Sequence, residues 1–226
     1  MRSLQSLIEA VHREALRAEF PIDVPVYERV GKDPKRPILC AGNLDAAVGI
    51  FARDLGKDEV AHGQPLIGAA GRLVRDGIIA AWTGGPPPKV DRWREGALEH
   101  ALLTNTVPYK PPGNRAYAEA VKERFRPYLA ELLTILWRGD YLITLGTEAF
   151  DWFARYAETG AHEAFWGRAD RYEAELPCVL VAGGEARKPI TLAPLPHPSP
   201  LNQRWYKQFP DLLARRLATA RARRAP

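Results

Sequence analysis

Three segments of this chain carry residue types that can do chemistry, and each lies just behind an apolar run. The first is RDLGKDEVAHGQPLIGAAG, residues 53–71. A carboxylate placed like Asp54 can orient a water or stabilise a developing cation; taken alone, it reads more simply as a turn cap. Glycines 56, 63, 68 and 71 let backbone approach a ligand closely, but they do not form GxGxxG, so a dinucleotide site has no support. The second segment is TNTVPYKPPGNR, residues 104–115. The Asn105 amide presents a donor and an acceptor side by side, which matches a base or amide edge; the alternative is an asparagine bonding its own backbone. Gly113, Asn114 and Arg115 fall where a helix is expected to start, and can hold a phosphate there. The third segment is PLPHPSPLNQRWYKQFP, residues 194–210. Prolines on both sides fix the loop around His197, a candidate electrophile or acid, although a histidine is more often merely half-buried. Ser199 and Arg204 suit phosphate contacts. Leu201, large and apolar in a polar loop, suits a wedge that enters a base stack, or ordinary packing. His62 is a weaker second candidate. His12, His100 and His162 lack such a context, and the six tryptophans are too dispersed to form a stacking platform.

To act together, these segments must leave a common edge of one sheet. The apolar runs AAVGIFA (46–52), ALLTNTVPY (101–109), YLITLG (141–146), PCVLVAG and ITLAPLPH read as strands. Between them lie helical patterns: Ala69 to about Ile79, Asn114 to about Arg138 with a kink or a break into two helices at Pro127, and Thr147 to Ala157. Leu4, Leu7, Ile8 and Val11 mark an opening helix, and Leu212, Leu213, Leu217 and Ala220 mark a closing one over 208–223 with an arginine-rich outer face. Prolines 21, 25, 34 and 37 predict a loop over 20–37, and TGGPPPKV (83–90) a turn. Strands alternating with helices predict an α/β fold, a three-layer αβα sandwich with a central, mostly parallel four-stranded sheet. Ligands of such sheets sit beyond the carboxyl ends of the strands, so the loops after Ala52, Leu103, Gly146 and Leu195 should share one edge.

Composition bounds the reading. The 226 residues suit a single domain, here expected over 1–226, with 1–37 as an N-terminal helix and loop and 208–226 as a basic C-terminal helix. Hydrophobic residues at 46% and charged residues at 26% argue against a largely disordered chain. No apolar run approaches ~18 residues, so no membrane span is expected, and the basic opening segment lacks the apolar core of a secretory signal. The net charge of +5 and a pI near 9.3 hint at nucleic acid without requiring it. Two cysteines, Cys40 and Cys178, exclude a disulfide framework or a four-cysteine metal site and favour a reducing, cytoplasmic setting.

In order and spacing, the three segments resemble the uracil-DNA glycosylase superfamily. The likeness is greatest to its bacterial and archaeal branch carrying G-E-A-P-G…E…G-x-P-F-V-G-x-A-G, T-N-x-x-K-C-R-P-P-x-N-R and H-P-[SA]. The counterparts here are ARDLG…E…GQPLIGAAG (52–71), TNTVPYKPPGNR (104–115) and HPSPLN (197–202), with LITLGTEAF (142–150) similar to a further strand and helix. The resemblance spans about residues 46 to 210. The chain departs from the branch at several positions. Tyr109 stands where the branch has a cluster-binding cysteine, which implies that no iron–sulfur cluster and no other cofactor is used. Leu66 replaces the phenylalanine that stacks on uracil, and Arg53 replaces a glutamate. Asp54 aligns with the water-activating aspartate of the single-domain enzymes, and Gly56 stands where those enzymes have a tyrosine that excludes thymine.

The resemblance implies a monofunctional glycosylase that flips uracil out of DNA and leaves an abasic site. Asp54 and His197 would be catalytic. Asn105, Leu66, Arg53 and Gly56 would face the base. Leu201, Ser199, Pro198, Arg204, Gly113, Asn114 and Arg115 would contact DNA. The implied partners are uracil-containing DNA, single- or double-stranded, and free uracil as product, bound by a nucleoid-associated monomer. Two other outcomes are a weakly catalytic binder of uracil- or abasic-site DNA, and a glycosylase for hypoxanthine or xanthine.

Overall fold

The computed structural model describes residues 3–113, 115–199 and 202–223. The strands are β1 (Cys40–Gly42), β2 (Val48–Ala52), β3 (Ala101–Asn105), β4 (Tyr141–Leu145), β5 (Leu176–Ala182) and β6 (Ala186–Leu195). The helices are α1 (Leu4–Arg17), α2 (Val24–Glu28), α3 (Lys57–His62), α4 (Ala69–Thr83), α5 (Glu119–Glu131), α6 (Thr147–Asp151), α7 (Ala161–Trp166), α8 (Gln203–Tyr206) and α9 (Phe209–Ala222).

One sheet runs in the order β1-β3-β2-β4-β6-β5. Its inner four strands are parallel, in register Ala52↔Asn105 between β2 and β3 and Leu145↔Leu195 between β4 and β6. The inner strands β2, β3 and β4 are buried at every position, which is why their sequences are unbroken apolar runs. The expected four-stranded sheet gains two antiparallel edges. β1 pairs with β3, and β5 folds back on β6 as a hairpin. β1 is three residues long and half-exposed, so pairing creates it and its sequence does not announce it. β5 alternates between buried and exposed positions, as an edge strand covered on one face should.

Helices cover both faces. On one, Leu7 and Val11 of α1, Phe125 and Leu129 of α5 and Phe150 of α6 pack on Phe51, Leu102, Leu142 and Leu192. On the other, Val74 and Ile78 of α4 and Leu213 and Leu217 of α9 pack on Val48, Ile50, Leu103, Ile143 and Leu195. Burial of each such side chain is worth roughly 1.5–3 kcal/mol.

Some helical limits differ from expectation. The 20–37 segment contains α2, because Pro25 sits in its first turn, where a missing N–H costs nothing. The helix expected from Asn114 begins at Glu119 and passes through Pro127. It ends in a π-helical turn over Leu132–Leu136, closed by Trp137 N–H on the Leu132 carbonyl at 2.8 Å. The expected 147–157 helix stops at Asp151 and resumes as a short 3₁₀ turn, Ala154–Tyr156. No helix among the described residues is long and apolar enough to cross a membrane.

Candidate active site

Because the inner strands are parallel and in register, their carboxyl ends release Arg53, Thr106, Gly146 and Pro196 along one edge. A cleft of about 840 Å³ opens there. Arg53, Asp54, Gly56, Leu66, Asn105, Gly113, Arg115, His197 and Ser199 all line it. Pro198 is buried beside it. Arg204 does not line the cleft. It sits exposed on α8 with its guanidinium 5.0 Å from the Trp205 ring centre, and Asn202 N–H donates to the Ser199 carbonyl at 2.8 Å just before that helix. Asn114 and Leu201 lie outside the described residues.

Asp54 leaves β2 with a side chain only 3% exposed, and neither carboxylate oxygen has a hydrogen-bond partner among the described residues. Arg53 Nε lies 3.0 Å from Asp54 Oδ2 as an ion pair, without the alignment of a hydrogen bond. Burial pushes the Asp54 carboxyl up to about 6; the Arg53 and Lys122 charges oppose that rise and Glu148 adds to it. His197 is held below its ordinary range, first by burial and then by the Arg53 charge, so near pH 7 its imidazole is neutral and one ring nitrogen carries a proton to donate. Asn105, 2% exposed at the end of β3, has an Oδ1 without a hydrogen-bond partner among the described residues. A buried, unpaired amide oxygen lining a cleft is an acceptor held ready for a ligand's N–H.

The loops are tied together by residues that sequence reasoning passed over. Thr106 accounts for three of the bonds. Its backbone N–H reaches the Ala52 and Arg53 carbonyls at 2.9 and 3.0 Å, and its hydroxyl donates to the Arg53 carbonyl at 2.6 Å. Glu59 accepts from the backbone N–H groups of Gly56, Ile67 and Gly68 at 2.8–2.9 Å, closing the 56–68 loop on itself. Gly56 leaves room for that carboxylate: a Cβ there would lie 2.6 Å from Glu59 Oε2. Arg75, fully buried in α4, donates to the carbonyls of Leu66, Pro65 and Trp93 and to Gln64 Oε1. These bonds hold Leu66 at a left-handed φ of +56°, and the chain folds so tightly there that a Cβ on Gly71 would touch the Leu66 carbonyl carbon at 2.0 Å. The spacing Gly56-x-x-Glu59 and an arginine within the apolar stripe of α4 were the available signals.

Lys110 Nζ donates to Asp23 Oδ2 at 2.7 Å and to the Pro111 and Gly113 carbonyls at 2.9 Å. With Gly113 at a φ of +63°, this turn delays α5 to Glu119. Gly113 and Arg115 therefore belong to a loop over the cleft and not to a helix N-terminus, which corrects the expected phosphate seat. Tyr109 is buried with its hydroxyl donating to the Lys35 carbonyl at 2.9 Å and its ring meeting Phe20 edge-on at 5.1 Å. The two cysteines occupy the outermost strands, about 24 Å apart at the usual strand spacing. They cannot ligate one iron–sulfur cluster, so the residues present do not fit that group.

A model of the uracil DNA glycosylase superfamily matches residues 40–221, which holds all six strands and the whole carboxyl edge. No curated protein matches the chain.

Proposed function

The chain belongs to the uracil DNA glycosylase superfamily, and from that premise we propose that it excises uracil from DNA and leaves an abasic site. The observation that carries the reading is the single cleft lined by Asp54, Asn105 and His197. A base inside a duplex is out of reach, so the nucleotide flips outward at a cost of roughly a few kcal/mol. Asn105 then reads the uracil edge, its unpaired Oδ1 accepting the N3–H and its amide donating to O4. Cytosine offers donor and acceptor exchanged and leaves a buried mismatch.

As the N-glycosidic bond lengthens, the sugar becomes oxocarbenium-like and the electron pair moves onto the base. Neutral His197 donates to the uracil O2 as that charge grows, a stabilisation of roughly 2–4 kcal/mol. Ionised Asp54 favours the sugar cation and orients the water that adds to C1′; the proton lost by that water passes to the carboxylate. The smaller lining at Leu66 favours one second reading, excision of a larger deaminated base such as hypoxanthine or xanthine.

Incubation of uracil-containing oligonucleotides with the protein, followed by alkali, tests the proposal. Strand breaks at uracil are expected, with Asn105→Ala and His197→Ala each at least ~100-fold slower. No break in either single- or double-stranded substrate ends the uracil reading, and a panel of lesion oligonucleotides decides the second.

A further inference from the structure

We propose that Arg53 is a positioning residue, the built-in cation that holds Asp54 ionised and oriented for the reaction. Its catalytic consequence rests on the glycosylase reading; the pairing itself does not.

The geometry makes Arg53 the natural partner. Asp54 is buried with both oxygens lacking hydrogen bonds among the described residues. A carboxylate in that state reverts to the neutral acid unless a cation stands close. Three charged groups face it. Lys122 of α5 is already committed, bonded to Glu148 and 3.5 Å from Glu119. Glu148 of α6 is itself an acid and repels the charge. Arg53, 3.0 Å away, has Asp54 as its sole ion-pair partner among the described residues. From the segment before α5, Tyr117 contributes a backbone N–H near the carboxylate that favours its charged form, and a buried hydroxyl without a partner among the described residues.

Arg53 is also held in place. Its carbonyl accepts the two Thr106 bonds, so the backbone that carries both Arg53 and Asp54 is pinned to the end of β3. Its side chain is 36% exposed and lines the cleft, and its charge also favours neutral His197. One guanidinium thus biases both proposed catalytic groups toward the protonation states that the reaction needs. A half-exposed ion pair can instead be energetically idle, and the two cases separate by experiment.

Wild type, Arg53→Gln and Arg53→Lys are compared by ¹³C titration of the Asp54 carboxyl, assigned by its loss in Asp54→Asn, and by uracil release between pH 5 and 9. In Arg53→Gln the carboxyl should titrate at least about one pH unit higher. For a rise of about one pH unit its excision should fall about tenfold at pH 5 and about twofold at pH 7 and match wild type toward pH 9, while Arg53→Lys stays near wild type on both readouts. An Asp54 titration in Arg53→Gln that superimposes on wild type overturns the inference whatever the activity does, as does an excision loss of equal size at every pH. If the carboxyl shifts while wild type releases no uracil, the pairing stands and the uracil reading fails.

Discussion

Gly146 and His197 meet where β4 and β6 leave the sheet: a Cβ built on Gly146 would lie 3.1 Å from the Cβ of His197. The contact follows from register. Leu145 pairs with Leu195, and Gly146 N–H donates to the Leu195 carbonyl at 2.8 Å, so the two loops depart side by side. Gly146 turns away at a φ of +85°, which a residue with a side chain rarely adopts.

Gly146→Ala should therefore displace His197. The backbone strain is of order 1–3 kcal/mol, and the added methyl presses on the histidine's Cβ. The expected result is a kcat at least about tenfold lower with KM little changed, plus a modest fall in Tm. Wild-type kcat in a folded Gly146→Ala protein would show that His197 tolerates the shift or plays no part.

Glu59→Gln tests the loop closure. The carboxylate serves three backbone donors with two oxygens; an amide offers one oxygen and turns an NH2 toward donors. The loss should be about 1–3 kcal/mol, read as a lower denaturation midpoint. KM for uracil DNA should rise because Leu66 and Gly56 lose their fixed positions. An unchanged midpoint would mean that the three N–H groups find other acceptors.

What the sequence displayed and what it concealed divide along physical lines. The inner strands were legible because burial on both faces leaves unbroken apolar runs, and the parallel arrangement then places Asp54, Asn105 and His197 at one edge. β1 was hidden because only pairing makes it a strand. Arg204 was expected beside the cleft because it lies seven residues from His197, but it belongs to α8, which holds it away from the cleft. The loop ties were hidden for another reason. Thr106, Glu59 and Arg75 bond to backbone groups, which every residue possesses and no sequence pattern marks. Gly56 shows the cost of reading one residue alone: it stands where the single-domain enzymes have a tyrosine, and its space serves the Glu59 carboxylate.

Arg75→Leu should be more damaging than Glu59→Gln. The guanidinium satisfies the carbonyls of Leu66, Pro65 and Trp93 from a fully buried position. Leucine leaves them unpaired, at roughly 1–3 kcal/mol for each group that water cannot reach. A loss of about 3 kcal/mol or more in unfolding free energy is expected. Stability within about 0.5 kcal/mol of wild type would mean the Leu66 turn holds without its clamp.

Asp54→Asn should separate stability from activity, and the direction depends on pH. Burial raises the Asp54 carboxyl from its ordinary 3.8 to about 6, so the folded chain holds that proton more tightly than the unfolded one. The stabilisation from this proton is fully present below pH 3.8 and is lost as pH rises through about 6. At pH 7 the ionised carboxylate thus costs the fold on the order of 3 kcal/mol. Asparagine is an uncharged replacement of the same shape, and Arg53, 36% exposed, is left where water can solvate it. The variant should be more stable than wild type at pH 7 by up to about 3 kcal/mol, with the difference vanishing toward pH 4, while uracil release falls at least ~100-fold. Unfolding curves at pH 4, 5.5 and 7 give the stability comparison directly. A variant less stable than wild type at pH 7 would mean that the Arg53 pairing outweighs the burial of the charge.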